Sequence, residues 1–117
     1  MFMNGELNSV LEQNAREYYK NALDAEKKQE YNSAVTLFFK AIASLSDLFV
    51  FVKEGKMPNN HNERFRILES KYKEVYGIFD KDFPFYQDSY RSRLNKEVSE
   101  VLRNDAKRLF ELLNLRI

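Results

Sequence analysis

The chain has 117 residues, 44% hydrophobic and 32% charged, with 19 basic and 18 acidic side chains and a formal net charge of +1. That length carries one core and excludes a second, so residues 1–117 are read as a single domain; the near-zero net charge leaves only local patches to attract nucleic acid or anionic membrane. The absence of cysteine excludes disulfides, thiolate nucleophiles and zinc–thiolate sites, and with His61 as the only histidine a metal site would have to be built from carboxylates.

Residues 1–11 carry Glu6 and no apolar stretch behind basic residues, which is not the pattern of a secretory leader, and a cytoplasmic protein is expected. From about Leu7 to Lys28, the positions Leu7, Leu11, Ala15, Tyr18, Ala22 and Ala25 alternate in steps of four and three, the seam of an amphipathic helix. Ser9 with Glu12 can form a capping box at its start, and Asn4 or Asn8 can equally open it. The break at Gln29–Tyr31 holds neither Gly nor Pro, so a short connection and an antiparallel partner are expected.

The second helix is the greasiest part of the chain. Tyr31, Ala34, Val35, Phe38, Ile42, Leu45, Phe49 and Val52 mark one face, while Leu37, Phe39, Leu48, Val50 and Phe51 crowd the others. A helix apolar on most of its circumference has to be wrapped by other helices. Its longest apolar run, Ala41–Val52, is about half of the roughly 20 residues a membrane span requires and contains Asp47. It is read as core, with no membrane partner. Gly55 ends this helix, and Pro58 follows.

A polar loop over Lys56–Asn62 leads to a third helix, capped by Asn60 or Asn62, with Phe65, Leu68, Tyr72, Val75, Tyr76 and Phe79 on one stripe. Asp80–Arg93 contains Pro84 and four aromatics without a clean period, and is read as an ordered crossover with room for a short fifth helix. From Leu94 the helical pattern returns through Val98, Val101, Leu102, Leu109, Leu112 and Leu113. The fold expected is all-α, an antiparallel up-and-down bundle of four main helices.

Several chemistries fail on spacing. No Glu stands three residues before His61, which removes the Glu-x-x-His step of carboxylate metal bundles, and Gly5, Gly55 and Gly77 are too scattered for a phosphate loop. Neither a metal nor a cofactor is expected. His61 can donate to a phosphate or simply cap the third helix, and no oriented acid–base partner for it is visible in the sequence. The segments Lys53–Lys73 and Arg91–Ile117 each carry an excess of three basic side chains. Phe83, Phe85, Tyr86 and Tyr90 can stack on bases or plug the end of the bundle.

The order of these pieces resembles the HEPN superfamily of small helical bundles. The resemblance rests on Tyr31–Phe51 as the central helix, Met57–His61 as the loop, and Tyr86–Leu113 as crossover and last helix, the latter introduced by Tyr90, Arg91, Ser92, Arg93 and Leu94. Members that cleave RNA carry an Arg followed after four to six residues by a catalytic His. Here Lys56, Gly55 and Glu54 precede His61 at the relevant distances, and no His follows Arg91 or Arg93. The resemblance therefore implies the non-catalytic branch: a nucleotide- or RNA-associated protein, partner of a small nucleotidyltransferase in a toxin–antitoxin-like pair, and a homodimer. It also implies that the crossover folds back so that Tyr90, Arg91 and Arg93 join His61, Arg64 and Arg66 as a phosphate-binding group. No catalytic residue is expected. The competing reading takes Tyr18, Ala22, Ala34, Phe38, Ala41 and Ile42 as a peptide-binding or scaffold hairpin of tetratricopeptide or trafficking type, against which stands the absence of a second repeat.

Overall fold

The computed structural model describes residues 4–117, with side chains from residue 6 onward, and is all-helical. Five helices follow in order: α1 (Asn4–Lys27), α2 (Tyr31–Glu54), α3 (His61–Lys71), α4 (Lys73–Asp88) and α5 (Lys96–Leu112). No strand occurs among the described residues.

The centre is α2. Ala34, Val35, Phe38, Phe39, Ile42, Leu45 and Val50 are at most 1% exposed, which covers most of the expected face, with Tyr31 and Phe49 half-buried. Each large side chain so buried stabilises the fold by about 1.5–3 kcal/mol. The helix is long and apolar enough to cross a membrane by composition alone. Here α1, α4 and α5 pack against it instead. Val52 departs from the expected face and is 58% exposed.

The turn between α1 and α2 is tight because Gln29 takes a left-handed conformation, φ 63°, with Gln29 N–H donating to the Glu26 carbonyl and Glu30 N–H to the Ala25 carbonyl. That pair of bonds closes a helix C-terminus normally closed by glycine. The two helices then run back along one another, Ser44 Oγ donating to the Leu11 carbonyl at 2.7 Å and Tyr19 meeting Phe38 at 5.5 Å between ring centres. It is Tyr19 that is buried on this seam, while Tyr18 is only partly covered. Ser9 does not cap α1: the helix is already formed at Asn4, and Ser9 Oγ accepts from Gln13 one turn on.

Gly55 closes α2 at φ 82°, its N–H donating to the Phe51 carbonyl, and Asn60 caps α3 by accepting from Glu63 N–H at 2.9 Å, both as expected. The expected third helix is divided. Tyr72 leaves helical geometry at φ −130°, ψ 74°, its hydroxyl donating to Glu54 at 2.8 Å and its ring meeting Phe49 edge-on. This anchorage to the end of α2 turns the chain, and α3 folds back on α4 with Phe65 edge-on to Phe79 and Phe83. The expected crossover is largely helix as well, since α4 continues through Pro84 to Asp88. Pro84 and Asp80 are both exposed, so the carbonyl that loses its donor lies on the wetted side of the helix.

The short α4–α5 connection is pinned by Asn32 at the start of α2. Its amide nitrogen donates to the Ser89 and Ser92 carbonyls, and its oxygen accepts from Leu94 N–H. Asn95 then caps α5. Between α4 and α5, Asp82 is fully buried and, as a carboxylate, finds no donor for either oxygen. Burial, a hydrogen bond to Asp105 and the charge of Asp105 push Asp82 up to about 9 against the opposing pull of Lys81. That direction favours the neutral acid at Asp82, with Asp105 as the acceptor it faces.

Candidate functional site

A cleft of about 270 Å³ opens where α1, α2, the first turn of α3 and the end of α4 meet. Asn14 and Tyr18 come from α1, Phe39, Lys40, Ser44 and Asp47 from α2, His61 from α3 and Tyr86 from α4. The i, i+3/i+4 spacing of α2 explains its share, because 40, 43, 44 and 47 fall on one side of a helix whose other sides are core.

Behind the lining residues Asp47 and His61, Asp47 forms a buried ion pair with Arg64, Nε to Oδ1 at 2.6 Å and Nη2 to Oδ2 at 2.8 Å. The third arm of the guanidinium, Nη1, lies 2.7 Å from His61 Nδ1. Phe79 and Phe83 flank the imidazole at 6.1 and 5.5 Å. Burial foremost, then the neighbouring Arg64 charge, lowers the His61 pKa, with Asp47 acting weakly the other way. On the wall, Phe39 stacks on Tyr86 at 4.7 Å, and the Tyr86 hydroxyl meets that of Tyr90 at 3.0 Å. This contact and burial push Tyr86 up to about 12. Lys40 stands at the mouth with its ammonium 6.0 Å from the Tyr18 ring centre and no ion pair among the described residues. Arg64 cancels the Asp47 charge, so the cleft is left with the single positive charge of Lys40.

The six expected phosphate-binding residues do not form one group. His61 and Arg64 are brought together, but Arg64 is 8% exposed and spends its donors on Asp47 and His61. Arg66 lines a separate shallow hollow with Asn60, Asn62 and Glu63. Tyr90, 71% exposed, reaches the cleft only through Tyr86, while Arg91 pairs with Asp88 at 3.5 Å and Arg93 is exposed. Neither Arg66, Arg91 nor Arg93 lines the cleft. Phe83 and Tyr86 plug the aromatic end of the core, Phe39 meeting both.

Lys40 and Asp47 were not singled out as site residues from the sequence. The available signal was their charge: two ionic side chains inside the most apolar helix have to face water or a counter-charge. Among the described residues no group of three His, Asp or Glu side chains is placed to hold a metal. Comparison with family models, curated proteins and solved structures gives no match, so the contacts above carry the functional reading.

Proposed function

We propose that the chain is a non-catalytic, nucleotide- or RNA-associated domain of HEPN type. In this reading α1, α2, α4 and α5 form an antiparallel up-and-down bundle with α3 laid on α4, and the domain is the partner subunit of a small nucleotidyltransferase in a toxin–antitoxin-like pair. Support for the bundle comes from contacts with opposed numbering: the Leu11 carbonyl with Ser44 and Tyr19 with Phe38 between α1 and α2, and Lys81 with Asp105 and Glu74 with Arg108 between α4 and α5.

The observation that carries the nucleotide reading is the cleft itself, where Lys40, without an ion pair among the described residues and 6.0 Å from the Tyr18 ring centre, shares the lining with Phe39 and Tyr86. An aromatic wall suits a base and a lone ammonium suits a phosphate. Calorimetric titration of nucleotides and short oligonucleotides at low salt tests it. Binding that weakens with salt and is lost in Lys40→Glu is expected; no heat up to millimolar ligand overturns the reading.

The same reading makes the protein a homodimer. Exposed Val52 lines a hollow with Leu48, Leu113, Leu115, Asn8 and Glu12, a largely apolar patch suited to a second copy. Light scattering should find a species of about twice 14.0 kDa; a particle of single mass at high concentration removes the dimer.

A further inference from the structure

We infer that His61 is a fixed neutral hydrogen-bond donor which, through Nε2–H, binds the phosphate of a single nucleoside monophosphate unit in the cleft, beside the ammonium of Lys40. The ligand assigned here rests on the nucleotide reading above; the state of the imidazole does not.

The argument starts at Asp47. Its two oxygens take Nε and Nη2 of Arg64, which fixes the plane of the guanidinium in a buried position. The remaining arm then has one direction, and it meets His61 Nδ1 at 2.7 Å. A guanidinium has only donors and stays protonated, so Nδ1 must offer its lone pair. A neutral imidazole accepting at Nδ1 carries its hydrogen on Nε2. Placing a second proton on Nδ1 would set N–H against N–H and break the contact with Arg64. The contact therefore opposes protonation of the ring, in the same direction as its lowered pKa.

Among the described residues Nε2 has no protein partner, and His61 lines the cleft. The two ligand-facing groups are therefore an N–H donor and an ammonium, which together select an anionic, acceptor-only group such as phosphate. Tyr18 and Tyr86 line the same cleft and bring aromatic surface to it. At about 270 Å³ the cleft lies just below the usual span of small-molecule sites, roughly 300–1,000 Å³, and so admits one nucleotide unit rather than a run of them. The unit can be a free nucleotide or the phosphorylated end of an RNA.

With one histidine in the chain, labelling with 15N-histidine gives a single imidazole by NMR. Its expected signature is Nε2 protonated and Nδ1 bare, unchanged as pH falls from about 8 through about 6.5, the ordinary histidine value. Adenosine 5′-monophosphate and a 5′-phosphorylated RNA hexamer are then titrated in. A shift of the Nε2–H signal with either probe supports the inference, and the probe that acts identifies the source of the phosphate. His61→Gln, which keeps a neutral donor, should hold affinity within about threefold, whereas His61→Ala should lose about tenfold. A mixed or Nδ1-protonated ring, or a nucleotide that binds without moving Nε2–H, overturns the inference and leaves the nucleotide reading standing. An intact Nε2–H ring with neither probe bound overturns the nucleotide reading, and the assigned ligand goes with it.

Discussion

Arg64 and Asp47 face each other across the contact between α3 and α2 through two parallel hydrogen bonds of 2.6 and 2.8 Å, with both side chains at most 10% exposed. The pair has a double role. It ties α3 to the central helix, and it sets the direction of the one guanidinium arm that reaches His61.

Removing one partner should therefore be costly. Asp47→Ala leaves a buried guanidinium without its counter-charge and is expected to destabilise the fold by about 3–5 kcal/mol in urea denaturation. Replacing both partners, Asp47→Leu with Arg64→Met, should return most of that loss while freeing the His61 ring to change tautomer. A loss under about 1 kcal/mol in Asp47→Ala would show that α3 is held by other contacts.

Asp82 makes stability depend on pH in the direction opposite to that of an ordinary paired carboxylate. Its folded-state value, about 9, lies far above the ordinary 3.8. Between those values the folded chain retains a proton that the unfolded chain has released. Its stabilising contribution is complete below about 4 and is lost as pH rises toward about 9, with a slope of at most about 1.4 kcal/mol per pH unit. Asp82→Asn keeps a neutral donor in the same space, so it should flatten this slope and exceed the parent in stability at pH about 8. His61 acts with the other sign, because its lowered value costs stability as pH falls below the ordinary 6.5; comparing the two proteins at each pH cancels that contribution. Parallel pH profiles for parent and variant would contradict a protonated Asp82.

Two glycines should respond in opposite senses. Gly77 lies within α4, where an added Cβ meets nothing within 4 Å, so Gly77→Ala should stabilise by about 0.5–1 kcal/mol. Gly55 has equal space but sits at φ 82°, and Gly55→Ala should destabilise by about 1 kcal/mol through backbone strain. Thermal unfolding of both variants checks the pair; a common sign would mean that local space, not backbone conformation, governs the effect.

Much of the helical framework was legible because it depends on local pattern. The seam through Leu11, Ala15, Ala22 and Ala25 is buried where its spacing says, and Gly55 and Asn60 stop and start helices by their own backbone and side-chain chemistry. The stripe from Phe65 to Phe79 was legible as helix but not as two helices, since its period runs unbroken through Tyr72. Only the reach of Tyr72 to Glu54 and Phe49, far back in the chain, makes the chain turn there. Pro84 misled for the opposite reason: its local cost is real, and the packing of Phe79, Phe83 and Tyr86 against Phe39 outweighs it.

By itself, the sequence determined that the protein is helical, that residues 31–54 lie at its centre, and roughly where α1, α2 and α5 begin and end and where α3 begins. These follow from periodicity and caps, which act within a few residues. The tertiary structure decided which charges meet: Asp47 with Arg64, Arg64 with His61, and Lys40 with no carboxylate among the described residues. Ionic partners are chosen by distance in space, and a chain of alternating signs admits many pairings until packing brings two of them within 3 Å.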